Sequence, residues 1–339
     1  MKRILAVLLT LTMVLGMSAC GTQAENSNSG GTSQTPEGDS YSLKVSHTQG
    51  QNAPVVQGLY YLEELVEKQS EGRMQLEIFP NGSLGDTGDL VNQCLTGSNV
   101  AFMTDAGRFA DIVPEIGVLC APYLFDDYET GNKMVQSEVF LDWCEQLSEE
   151  GYHILSFNYY EGDRNILTTK EIKSMADLKD VKLRTGGTIQ WIDTLNAFGA
   201  IPTSLAQSEV YTGIQQKVVD GADQQVVTVY DMQLYEVCPY YTMTHQYQLM
   251  LGLCLSRSWF DQLPEDLQKI LTDASFEAGV KSSELTNSVV DKYLKEMEEE
   301  HGLHVNYDID LTEWKEAAES VYEKEGLVEA RDQLLASIS

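Results

Sequence analysis

Residues 41–79 read YSLKVSHTQGQNAPVVQGLYYLEELVEKQSEGRMQLEIF, and this stretch decides the fold. Residues 41–46 alternate apolar and polar side chains, as a half-buried strand does. Residues 55–69 then place Leu59, Leu62, Leu65 and Val66 on one helical face, and Gly72 stops that helix. Residues 74–79 alternate again as a second strand, closed by the turn signal Pro80-Asn81-Gly82. A helix over 86–96 and a short buried strand over 100–103 continue the rhythm. Strands alternating with helices imply a parallel sheet with crossover connections. Ligands of such sheets bind beyond the carboxyl ends of the strands.

The order returns in the middle of the chain. Residues 154–159 read as a strand, 175–178 as a helical turn and 181–184 as a strand. A helix over 188–198 carries Trp191, Leu195 and Phe198 on one face, a further helix covers 209–217, and 218–221 read as a strand entering a turn. Two α/β units in one chain predict two lobes with a cleft between them.

The start of the chain fixes a compartment. Lys2 and Arg3 precede a short apolar run, and Met17-Ser18-Ala19-Cys20 follows, which is the layout of a secretory signal too short to span a bilayer. A Cys directly after small residues resembles a bacterial lipobox, which would make Cys20 the lipidated mature N-terminus. Met17 departs from the usual Leu, and an ordinary signal with an incidental Cys is the plainer alternative. Residues 21–40 lack aromatic and large aliphatic side chains and read as a flexible tether. The expectation is an extracytoplasmic body held at the cell membrane.

The net charge is −30, from 52 acidic and 22 basic residues, which excludes a general nucleic-acid binder. An acidic body also repels anions at long range, so any anion site must rest on local Arg residues in a shielded cleft. Beyond Cys20, Cys94, Cys120, Cys144, Cys238 and Cys254 are widely spaced without a Cys-x-x-Cys, and they read as small buried hydrophobes. No cofactor or metal site is expected. His301-Gly-Leu-His304 is the only close His pair and lacks further ligands. Gly-x-Ser-x-Gly, the Gly-Lys-Ser/Thr phosphate loop and His-Glu-x-x-His are all absent from the sequence. A secreted carboxylate-dependent hydrolase and a ligand-sensing surface receptor module remain the alternatives to solute capture.

Six motifs then carry a resemblance. They are Asn81-Gly-Ser-Leu-Gly-Asp86, Pro114-Glu-Ile-Gly-Val-Leu119, Asp177-Leu-Lys179 running into Lys182-Leu-Arg184, Ser208-Glu-Val-Tyr211, Val219-Asp-Gly221 and Leu263-Pro-Glu265. In this order they resemble the solute-binding subunits of tripartite ATP-independent periplasmic (TRAP) transporters, dicarboxylate-binding type. The resemblance implies a non-enzymatic, periplasmic-binding-protein-like clamp that hands an organic acid to TRAP membrane subunits. It also implies that the unbroken helical stretch over 264–300, about 50 Å long at ~1.5 Å per residue, crosses both lobes. Crossings near Gly162 and Met250 place 41–161 plus 250–289 in lobe I, and 162–249 plus 290–339 in lobe II.

The candidate ligand-binding residues follow. Arg184 ends a buried strand before a Gly-rich turn, where its planar fork suits a carboxylate, and the family's Arg in this motif clamps the ligand. The alternative is a structural Arg paired with a nearby acid. Arg164 stands where many relatives place a second ligand-touching Arg, or else pairs with Asp163 or Glu161. His47 and Thr48 end the first strand, or cap the next helix. Asp105 ends another strand, where it would accept hydrogen bonds from ligand hydroxyls or cap the segment after it. Gln224 takes the place of the family's ligand-contacting Asn, Asp223 that of the adjoining Glu, and Gln207 that of a Phe over the ligand. A polar Gln207 points to a hydroxylated ligand. A monocarboxylate with hydroxyls, such as a sugar acid, is therefore expected ahead of a dicarboxylate.

Overall fold

A computed structural model describes residues 40–339. The signal segment, Cys20 and nearly all of the tether lie outside the described residues. The strands are β1 (Tyr41–Ser46), β2 (Met74–Phe79), β3 (Val100–Thr104), β4 (Tyr152–Thr168), β5 (Lys182–Thr185), β6 (Ile201–Ser204), β7 (Gly221–Gln225), β8 (Tyr240–Ser256) and β9 (His304–Asn306). The helices are α1 (Pro54–Gln69), α2 (Thr87–Cys94), α3 (Tyr128–Val135), α4 (Glu138–Glu149), α5 (Ile189–Ala197), α6 (Val210–Gln215), α7 (Val226–Asp231), α8 (Arg257–Phe260), α9 (Glu265–His301), α10 (Thr312–Lys324) and α11 (Val328–Ser337).

The two lobes share one sheet, ordered β2-β1-β3-β8-β4-β7-β5-β6, with β9 also on β8. The outer strands of each lobe are parallel, as the alternating pattern requires. Antiparallel β4 and β8 join them, 17 residues each. One half of each long strand belongs to either lobe, and their ladder breaks register between Tyr160 and Gly162, opposite Met250 and Leu249. Gly162 adopts φ +95° there, a left-handed conformation that suits glycine.

This corrects the sequence reading of the middle of the chain. The strand predicted to end at Tyr159 continues through Glu161, Asp163 and Arg164 to Thr168. The segment read as a strand over 218–221 turns instead, and β7 begins at Gly221. Alternation in β4 accounts for the lobe II core, since Ile166 faces the cluster of Leu183, Phe198 and Trp314 while Leu167 faces Val210, Tyr241 and Met297.

Helix α9 is continuous, as expected, and lies along both lobes. It contacts α1, β4 and α7. Its approach to β4 is close because the facing side chains are small. A Cβ on Gly279 would sit 2.1 Å from Asn158 Oδ1. Ser283 Oγ accepts from Tyr160 N–H and donates to a backbone carbonyl, and the Ser156 and Ser275 hydroxyls pair at 2.8 Å. Trp314 of α10 packs on Phe198 beside β5 and α5. Helix α11 returns to lobe I, where Leu334 joins the core beside α4.

The five remaining cysteines are free, and all but the half-buried Cys144 are buried. No helix among the described residues is long and apolar enough to cross a membrane.

Candidate functional site

The carboxyl ends of β1, β3 and β5 meet in the cleft, and the loops leaving them supply its walls. The cavity and its solvent-open mouth together span about 620 Å³ of space not filled by atoms. Its lining includes His47, Thr48, Asp105, Arg164, Arg184, Gln207 and Gln224, so seven of the eight proposed contacts converge there. The exception is Asp223. It is fully buried behind the wall, because successive residues of β7 point to opposite faces and Gln224 takes the cavity side.

Asp223 instead positions Arg164. The Arg164 Nη2 donates to the Asp223 backbone O at 2.6 Å and lies 2.9 Å from its Oδ1, an approach off the hydrogen-bond line. The guanidinium also stacks on Trp191, 4.2 Å from the ring centroid. The sequence offered Asp163 or Glu161 as the structural partner of Arg164, and neither takes that role. Burial pushes the Asp223 carboxyl up despite Arg164 and Arg184 nearby.

Arg184 behaves differently. It is 3% exposed, at the end of β5, and its Nε donates to Leu205 O at 3.0 Å. No described carboxylate lies within ion-pairing distance. Burial, with the Arg164 charge second, pulls its pKa down to about 9. A cation buried without a counter-charge is costly, and an incoming carboxylate would offset that cost.

The remaining polar residues fasten the lobes to each other. Thr188 Oγ1 donates to Asp105 Oδ1 at 2.8 Å, and Arg108 donates to Gly186 O. Gln49 Nε2 donates to Thr228 Oγ1 at 3.0 Å, and Gly50 N–H to Asp231 Oδ2 at 3.0 Å. Gly107 permits this closeness, since a Cβ there would stand 2.2 Å from Thr188 Cγ2. The cleft is therefore closed. Asp105 neither caps its helix nor offers a free carboxylate, because Thr188, Cys120 and Arg108 surround it. His47 and Thr48 do not cap α1, whose N-cap is Ala53. Gln207 accepts from Gln224 Nε2 at 3.3 Å, so the two amides form one polar wall.

Sequence reasoning missed Arg108, Glu161 and Trp191 in this lining. Trp191 read as an ordinary helix-face residue, and Arg108 was not singled out. Glu161 stood in a segment taken for a loop. At the far end of α9, Glu296, Glu300 and His301 lie close together, whereas His304 stacks on Tyr240.

Residues 45–326 match the family described as bacterial extracellular solute-binding protein, family 7. The chain belongs to this family. The 2,3-diketo-L-gulonate-binding periplasmic protein YiaO of Escherichia coli is 26% identical over 75% of this chain and 77% of its own. A TRAP solute-binding protein from Ochrobacterium anthropi with bound L-fuconate superposes with TM-score 0.85, at 28% identity over 88% of this chain and all of that one. An apo open structure from Escherichia fergusonii is 34% identical over 88% and 99% of the two chains, yet its TM-score is 0.77. The greater likeness to the liganded relative, despite lower identity, agrees with the contacts that close this cleft.

Proposed function

We propose that this family 7 protein captures a small organic acid bearing one carboxylate and several hydroxyls, and delivers it to a TRAP-type membrane transporter. The observation that carries the reading is Arg184, a buried guanidinium without an ion-pair partner in the interlobe cavity. Arg164 has Asp223 and Arg108 has Asp105, whereas Arg184 has no carboxylate within ion-pairing distance and is placed to meet one from a ligand. The amides of Gln207 and Gln224, with Thr48, supply donors and acceptors suited to hydroxyls. L-Fuconate and 2,3-diketo-L-gulonate, named for two relatives, are acids of this kind.

In this reading the lobes rotate about β4 and β8 near Gly162 and Met250. The Cys20 lipid holds the body at the membrane beside the transporter, and no catalysis is involved. A thermal-shift screen over organic and sugar acids tests the proposal, since a ligand that binds only the folded state raises Tm. A sugar monocarboxylate should raise Tm most. A panel in which no acid moves Tm would sink organic-acid capture.

A further inference from the structure

Asp105 was the expected acceptor for ligand hydroxyls, and its oxygens are already engaged. The carboxylate left facing the cavity from β4 is that of Glu161. It is 5% exposed, lines the same cavity as Arg184, and its Oε1 has no hydrogen-bond partner among the described residues. The break in register beside Gly162 turns this side chain off the ladder with β8.

His47 is the nearest candidate partner, with Nε2 3.1 Å from Glu161 Oε1 but off the hydrogen-bond line. Its Nδ1 accepts from the Gln49 N–H at 2.9 Å. No Lys or Arg among the described residues lies within ion-pairing distance of Glu161.

We infer that Glu161 is a specificity-determining residue, the pole of the site that accepts hydrogen bonds from ligand hydroxyls and turns away a second carboxylate. The inference rests on organic-acid capture through Arg184. A carboxylate accepts and cannot donate. Hydroxyl groups satisfy it, whereas a second carboxylate brings like charge and no proton against a buried carboxylate. Selectivity then arises from repulsion as much as from attraction, with Arg184 reading the acid end and Glu161 the polyol end.

Calorimetric titration of wild type, Glu161→Gln, Glu161→Asp and Arg184→Ala with galactonate and with succinate tests this, after Tm shows each variant folded. Wild type should bind galactonate and discriminate against succinate. Glu161→Gln should weaken galactonate by about 10–100-fold, the scale of one hydrogen bond to a charged group, and strengthen succinate by about tenfold or more. Glu161→Asp keeps the charge one methylene further back, so galactonate should weaken while succinate stays excluded. Arg184→Ala should weaken both acids. Galactonate binding by Glu161→Gln within threefold of wild type, or equal loss of both acids, would overturn the inference and leave organic-acid capture standing. Preference of the wild type for succinate would do the same. Wild type that binds neither acid overturns both readings.

Discussion

Arg164 and Asp223 face each other from neighbouring strands, Nη2 to Oδ1 2.9 Å, both shut off from solvent. Arg184 lies in the same cavity without such a partner. The two arginines should therefore respond differently to substitution. Arg184→Ala should leave the fold intact and cost roughly 3–5 kcal/mol in ligand affinity, about two to four decades in Kd. Arg184→Lys should recover only part, because a point charge cannot reproduce the fork. Arg164→Ala should lower Tm as well, since it leaves Asp223 buried and unpaired. Calorimetric titration with thermal melts separates the two. Binding by Arg184→Ala within threefold of wild type would move the carboxylate to Arg164.

Closure depends on the absence of a side chain at Gly107, where a Cβ would meet Thr188 Cγ2 at 2.2 Å. Gly107→Val should keep each lobe folded and hold the cleft partly open. Small-angle scattering with saturating ligand should show wild type contracting and the variant failing to contract to the same radius. Ligand affinity should fall at least tenfold, although no group that touches the ligand has changed. Full contraction of the variant would show that the Gly107–Thr188 contact does not govern closure.

His245 and Asp163 form an ion pair across the two long strands, with Asn165 Nδ2 donating to Asp163 at 2.9 Å. The hydrogen bond to Asp163 holds the His245 pKa above its ordinary value against the opposing effect of burial. Burial pushes Asp163 up, but His245 and Asn165 outweigh it and hold that carboxyl low. The His245 contribution to stability is thus fully present below about pH 6.5, and is lost as pH rises through the raised folded value. The Asp163 contribution is present above about pH 4 and lost as pH falls through its lowered folded value. The Tm gap between wild type and His245→Gln should narrow as pH goes from about 6 to 8.5. A gap that widens over that range would refute the assignment.

Cys20→Ser should release the protein from the membrane fraction of its native host, since a single residue carries the proposed anchor. Continued sedimentation with membranes would refute the lipid reading.

Much of the fold was legible because the outer strands obey local rules. The alternation in β1 and β2, the apolar face of α1 and the Gly stops are short-range signals. Arg184 was legible for the same reason, as a charge at the end of an apolar strand. The long central strands were not. β4 carries Glu161, Gly162, Asp163, Arg164 and Asn165 in succession, and such a run reads as a loop when its partners are unknown. Its polar groups are tolerated in the sheet because Asp223, His245 and the cavity receive them. The signal that was available is the return of Ile166 and Leu167 directly after that run, without an intervening Pro. Pairings such as Arg164 with Asp223 and Asp105 with Thr188 join residues far apart in sequence, so only the folded chain could assign them.

The close seam between α9 and β4 also constrains how the protein lets go of its cargo. With Gly279 against Asn158 and Gly58 against Ser282, the helix backbone is held tightly to both α1 and the central strand. A rod fixed in this way cannot slide, so parting the lobes must flex it or lift one end. The helix then works as a leaf spring whose stiffness enters the rate of unloading. In the transport role proposed above, a force on the rod from outside would empty the cleft without touching the ligand.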